Sequence, residues 1–311
     1  RCNITLQPTS RAPGARRSGA HAVHLATVTT PNNHIPLGAV VLALAIHALW
    51  GGNPVAIKWG LEIFPPFWSG FVRFAIGTAC VAVWAYAQQE SLWPERTDWP
   101  ALVTVSLLFS AQIWTMNVGY GGTSGSLGAL LMALNPIFAV LMARFFIQDD
   151  RLSWRRAAGL ACAFTGTAVV LSPETHDGAR ELTRLANWIV GFSAFLLGAR
   201  LMYSARIIRQ QGETRVMSWM MCLSLPVFAG GGALFETIAW NNMNWRPISG
   251  LIYQGIAIAG IAFTVNSYLM RKYSPSVVVS FNFVSPVVGV LLSIWLLNEP
   301  LGTALVLGIG L

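Results

Sequence analysis

The sequence predicts an all-α integral membrane protein with ten transmembrane helices in two inverted five-helix repeats, the tenth helix truncated by the end of the chain. Three observations carry this expectation. Hydrophobic residues make up 54% and charged residues 10% of the 311 positions, about half the ionisable content of a soluble domain. The apolar residues gather into long runs separated by short joins. The stretch Ser124 to Asp150 also returns once, 150 positions later, as Ser274 to Pro300.

The repeat sets the architecture. Ser124 falls on Ser274, Ser126 on Ser276, Pro136 on Pro286, Val140 on Val290 and Leu141 on Leu291, while Gln148 and Asp149 fall on Asn298 and Glu299. Each copy contains 21 apolar residues, Leu127 to Ile147 and Val277 to Leu297, a helix of ~30 Å that matches the hydrocarbon core of a bilayer. Each also carries a proline near its middle, where the lost backbone bond needs a partner from protein or a wet cavity. Two membrane-embedded halves follow, each built round a span with a weakened centre.

In chain order, residues 1–36 hold Arg1, Arg11, Arg16 and Arg17 and no acid, which reads as a disordered basic tail, with a targeting signal as the alternative. Ten apolar starts follow, at about 37–60, 66–87, 100–119, 124–147, 154–172, 188–208, 215–236, 249–270, 275–297 and 302 onward. They divide into a first repeat over 37–172 and a second over 187–311. Only ten residues of the last run, Gly302 to Leu311, are present, where a span needs ~20. Cys80, Cys162 and Cys222 lie inside spans and Cys2 in the tail, so cysteine spacing indicates neither a disulfide framework nor a metal site.

The formal charge of +8 and a pI near 9.9 would suggest nucleic acid in a soluble chain. Here the cations sit in short loops and orient the chain in the bilayer instead. With the N-terminus cytoplasmic, 14 loop and tail cations lie inside and three, Arg180, Arg184 and Arg246, outside. The positive-inside rule therefore predicts a multi-pass protein with a cytoplasmic N-terminus. Five spans per half make the halves antiparallel, an architecture that puts a substrate site near the midplane.

Three cations remain inside spans: Lys58, Arg73 and Arg200. A charge at the centre of a span costs at least ~2.5 kcal/mol, so each needs a partner, a cavity or a route to the interface. Lys58 is near enough to a helix end to snorkel. Arg73 has two readings, a structural pairing with Glu62 or backbone carbonyls, or a grip on an anionic substrate group. His47, Gly51, Pro54 and Lys58 share one face of the first helix, and Gly51, Gly52 and Pro54 predict a break there. His47 is the one histidine in a span, either a core residue or a proton site. Ser106, Ser110, Trp114 and Asn117 form a stripe on the third helix, and Asn282, Ser285, Gly289 and Ser293 one on the ninth. Such stripes line cavities or serve as packing seams. Trp50 and Trp114 read as packing residues or cavity walls, and Asn117, Asn135, Asn266 and Asn282 as interhelix glue or substrate contacts. Gly230, Gly231 and Gly232 predict close packing of the seventh helix.

The run HALWGGNPVAIKWGLE followed by FPPFWSGFVRF, with Trp50, Gly51, Lys58 and Arg73, resembles the opening of the EamA branch of the drug/metabolite transporter superfamily. The proline-centred fourth and ninth helices, ending in acid-containing turns at Asp149 and Glu299, are similar to that family's paired repeat. Asp150 departs from the usual continuation. The resemblance covers about Leu37 to Leu311. It implies a carrier, probable exporters among its kind, of small polar metabolites such as amino acids across the cytoplasmic membrane by alternating access. Carriers of phosphorylated or nucleotide sugars are the alternative, and a channel-like or non-transporting protein a further one.

On this reading the substrate site draws on Trp50, Lys58, Arg73, Trp114, Asn117, Asn266 and Asn282, with hinges at Pro136 and Pro286 and a possible proton site at His47. The substrate is a small molecule, and the cations of the first two helices favour one bearing a carboxylate. No cofactor, metal or nucleic-acid partner is called for. The scattered histidines and peripheral acids offer no constellation for a membrane enzyme. All twelve acids fall in loops or in the last turn of a span. Proton coupling would therefore have to run through His47, and the other possibility is uncoupled transport.

Overall fold

A computed structural model describes residues 36–146, 180–273, 278 and 281–300. The basic tail through position 35, the fifth span, the tenth run, and Asp149 and Asp150 lie outside the described residues.

Every regular element among the described residues is helical. The first half contributes α1 (Leu37–Leu61), α2 (Pro66–Ala87), α3 (Trp99–Gly122), α4 (Gly125–Met132) and α5 (Asn135–Phe146). The second contributes α6 (Arg180–Gln211), α7 (Glu213–Phe235), α8 (Trp245–Ile252), a π-helical segment (Tyr253–Ala262) leading into α9 (Phe263–Lys272), and α10 (Val284–Leu297). Six helical stretches among the described residues are long and apolar enough to cross a membrane: Leu37–Leu61, Pro66–Ala87, Trp99–Gly122, Thr183–Gln211, Glu213–Phe235 and Trp245–Asn266. The protein is a multi-pass membrane protein.

Four local expectations need correction. The fourth span is two helices, because the chain turns at Ala133 and Leu134 and restarts at Asn135. Pro136 is thus the second residue of α5, where its missing N–H is no loss. The Met132 carbonyl that a residue with an N–H at 136 would have satisfied accepts instead from Asn135 Nδ2 at 2.7 Å. Likewise Pro286 lies in the first turn of α10, after a 3₁₀ turn over Phe281–Phe283.

The predicted break in α1 is absent. That helix runs unbroken through Gly51, Gly52 and Pro54, and the second half packs along it with side-chain bonds to its carbonyls: Ser285 Oγ donates to His47 O at 2.8 Å and Tyr253 Oη to Leu49 O at 2.6 Å. The glycines allow close approach. A Cβ at Gly51 would stand 2.6 Å from Val288 Cβ, and one at Gly52 would overlap the Tyr253 ring.

The sixth span starts before the apolar run does, since α6 is already helical at Arg180. It joins α7 through Gly212 alone, whose φ of 85° favours glycine. The π segment had no counterpart in the sequence reading, since apolar periodicity does not separate i→i+5 from i→i+4 bonding.

The helices pack in a definite pattern. α3 lies against α6 and α7, α1 against α10, α8 and the π segment, α2 against α7 and the π segment, and α6 against α4 and α5. The main apolar core lies among α2, α3 and α7, with Phe74, Phe109, Phe228, Met220 and Met221 fully enclosed. Of the three glycines of α7, Gly231 and Gly232 lie directly under the rings of Phe67 and Trp68, while Gly230 faces open space.

Candidate functional site

Three polar clusters interrupt the apolar packing. The deepest is built on a buried arginine. Arg73, 3% exposed, projects from α2 and donates through Nη1 to Gln254 Oε1 of the π segment at 3.3 Å. Gln254 is itself pinned, its amide donating to Ala56 O of α1 at 2.9 Å. Arg73 Nε has no acceptor. The charge that bears on Arg73 is another cation, Arg200 of α6. Arg200 is 6% exposed, its Nη1 stands 3.5 Å from the thioether of Met220, and its Nε also lacks an acceptor. The structural pairing of Arg73 with Glu62 foreseen as one reading is not found; a neutral amide takes that place.

The second cluster lies between α1 and the start of α10. His47 is buried and meets Trp50 ring to ring at 5.0 Å, and Trp50 in turn meets Phe263 of α9 at 5.9 Å. The polar groups facing the imidazole are the Val278 backbone and the Asn282 side chain. His47, Trp50 and Asn282 are thereby brought together. Asn266 lies on α9, one turn beyond Phe263 and partly buried.

The third cluster closes the end of the bundle where α1 meets α2. Asn298 adopts a left-handed conformation (φ 54°) that ends α10 and turns the chain back. The Glu299 carboxylate then accepts from Gly125 N, from Ser126 N at 2.9 Å and from Ser126 Oγ at 2.6 Å, capping α4. Glu236, at the end of α7, caps α2 in the same manner, accepting from Phe67 N at 2.9 Å and Trp68 N at 3.1 Å. Negative charge at a helix N-terminus is favourable, and positive charge at a C-terminus equally so. Lys58 supplies the latter: its ammonium donates to Tyr120 O at 3.2 Å and Thr123 O at 2.6 Å, at the end of α3.

Asn117 and Trp114 of α3 face the start of α2. Asn117 Nδ2 donates to Pro66 O at 2.9 Å, and Trp114, 38% exposed, stacks on Phe67 at 5.4 Å. The stripe on α3 is therefore divided, since Ser106 and Ser110 are buried and bond to carbonyls of their own helix. The stripe on α10 is a seam: Ser285 bonds α1, and Gly289 lies against Ala129 and Gly51. The shared face of α1 is present as predicted. It follows α10, from Asn282 beside His47, past Val288 at Gly51, to Glu299 near Lys58.

Sequence reasoning left four participants out of these clusters. Arg200 is legible as a cation inside a span, but its convergence with Arg73 is a matter of helix packing. Gln254 carried a usable signal, a lone amide in the apolar run YQGIAIAGIA. Glu236 and Glu299 were seen at span ends, but the helix each caps lies more than 160 residues away.

The sequence profile of the EamA-like transporter family matches residues 37–172 and 185–311. The chain is 26% identical over 275 residues to the uncharacterized inner membrane transporter YedA of Escherichia coli K12, covering 86% of this chain and 85% of that protein. It is 25% identical over 282 residues to a probable terminal-alkyne amino-acid exporter of Streptantibioticus cattleyicolor, covering 88% and 90%. A probable amino-acid metabolite efflux pump of Escherichia coli K12 is 24% identical over 271 residues, covering 84% and 87%. One crystal structure superposes with a TM-score of 0.67 at 20% identity, covering 88% of this chain and 93% of the other.

Proposed function

The chain belongs to the EamA-like transporter family and is a membrane transporter, not an enzyme; from that premise we propose that it is a secondary carrier exporting small polar metabolites, amino acids among them, across the cytoplasmic membrane by alternating access. The observation that carries the substrate side is Arg73. A guanidinium buried near mid-helix with a neutral amide as partner and a like charge nearby is poised for an anionic group. A substrate carboxylate accepts from a guanidinium in a bidentate pair. The names of the two amino-acid exporters and efflux pumps among the relatives agree with a carboxylate-bearing cargo.

The mechanism we read is a ten-helix inverted repeat whose halves rock about the matched prolines. Supporting it, the helix contacts exchange under a shift from one half to the other. The pairing of α1 with α10 answers that of α6 with α4 and α5, α1 with the π segment answers α6 with α3, and α2 with the π segment answers α7 with α3. Pro136 and Pro286 each open a helix after a local break, giving each half one joint. Coupling, where present, runs through His47, whose neighbours Asn282 and Trp50 lie on the seam between halves.

The orientation proposed from the loop cations puts the end capped by Glu236 and Glu299 outside. Asn241→Cys should then react with an impermeant thiol reagent in intact cells, and Glu95→Cys should not; the reverse pattern overturns the orientation. The function is tested by counterflow of labelled L-alanine and L-glutamate in proteoliposomes of the full-length protein. Saturable exchange lost in Arg73→Gln supports the reading. Flux that stays linear in the gradient refutes a carrier.

A further inference from the structure

The two buried guanidiniums come from different halves, Arg73 from α2 and Arg200 from α6, yet they meet at one aromatic pair. The rings of Phe74 and Phe109 pack edge to face with centroids 4.6 Å apart. Arg73 Cζ lies 5.0 Å from the Phe74 centroid and Arg200 Cζ 5.1 Å from that of Phe109. Each cation faces the π-system of one ring, so the pair of rings holds the two charges near each other. Both side chains are close to fully enclosed, and in each the Nε–H has no acceptor. Their other recorded partners are weak or neutral: a glutamine oxygen at 3.3 Å for Arg73 and a thioether at 3.5 Å for Arg200. Among the described residues, Glu236 and Glu299 are committed to helix N-termini at the end of the bundle.

Two like charges in a low-dielectric interior repel, and both retain donors suited to a planar anion. One carboxylate neutralises one of them. A ligand with two negative charges neutralises both and bridges the halves at the level where they would move against each other.

We propose that Arg73 and Arg200 form a single two-guanidinium clamp shared between the halves, and that the transported substrate presents two anionic charges to it, as a dicarboxylate or as a phosphate monoester. This rests on the reading above that Arg73 holds a substrate anion, and it narrows that reading to doubly anionic cargo. Arg200 then binds the second charge and decides specificity, while the aromatic pair holds both cations in register.

The experiment uses full-length protein purified in detergent, read by the shift of its thermal midpoint with L-alanine, L-glutamate or glucose 6-phosphate, a binding ligand being stabilising in proportion to its affinity. Uptake of labelled L-alanine and L-glutamate into proteoliposomes accompanies it. In the wild type, L-glutamate or glucose 6-phosphate should bind at least about tenfold more tightly than L-alanine. Whichever of the two binds assigns the dicarboxylate or the phosphate ester. Arg200→Gln should remove that advantage, while Arg200→Lys restores part of it. If Arg200→Gln does not fold, the wild-type ranking alone decides. L-alanine binding as tightly as both doubly anionic probes overturns the clamp. So does an Arg200→Gln variant with unchanged ranking. In either case, loss of L-alanine binding in Arg73→Gln leaves the single-carboxylate reading standing. If no anionic probe shifts the midpoint or enters the vesicles, the clamp and that reading fall together.

Discussion

The capped end of the bundle and its middle treat charge in opposite ways. At the end where α1 meets α2, each ionised group meets a complementary dipole: Glu299 the start of α4, Glu236 the start of α2, Lys58 the finish of α3. Backbone bonds reinforce the closure, with Ala239 N donating to Ile63 O at 3.0 Å and Asn242 Nδ2 to Glu62 O at 3.1 Å. In the middle, Arg73 and Arg200 are more deeply buried and less well matched, facing aromatic rings, an amide and a thioether. Satisfied charges hold helices together, whereas unsatisfied ones cost stability and persist where they do something else. The first set is architecture, and the second is the site we propose.

The sharpest way to break this distinction is to replace the central cations by an apolar side chain of similar length. Arg73→Met and Arg200→Met should each lower transport by about tenfold or more while the thermal midpoint holds or rises, because removing an unpaired buried charge relieves desolvation. A midpoint that fell along with transport would make the two regions alike.

Next in size are the joints. Pro136→Ala restores an N–H that extends α5 toward α4, and Pro286→Ala does the same in α10. Each should slow transport per folded molecule severalfold with little change in the amount of folded protein, checked by initial rates normalised to monodisperse protein. Loss of folding, or normal rates, would remove the hinge.

Glu299→Gln should show the converse of the arginine variants. Losing the charge on three hydrogen bonds costs about 2 kcal/mol, read as a drop of a few degrees in midpoint, with transport per folded molecule changing less than about twofold. The smallest effect is expected at Lys58→Met, about 0.5 kcal/mol for a cation at a helix C-terminus. A transport loss out of proportion to that midpoint shift would move Lys58 from the capped end into the site.

Much of the fold is legible in the residues. Apolar run length is a direct consequence of bilayer thickness, so the membrane class and the long spans follow from composition and periodicity alone. The matched prolines could be found by self-comparison, and their requirement for a substitute partner was chemically predictable; that Asn135 supplies one for Met132 was not. The face shared by His47, Gly51, Pro54 and Lys58 also followed from spacing, since helical geometry is local.

What the sequence determined by itself is therefore what depends on neighbours along the chain: spans, faces, weak points, family resemblance and the identity of the buried cations. The tertiary structure decided whatever depends on partners far apart in sequence. It joined Arg73 to Gln254 across 181 positions and Glu299 to Gly125 across 174, bonded carbonyls of α1 to donors of the second half, and made the π segment. Hydrogen bonds and ion pairs act over a few ångströms, and which groups come within that range is set by helix packing rather than by the order of residues. For that reason the same sequence that announces two buried arginines leaves their meeting to the fold.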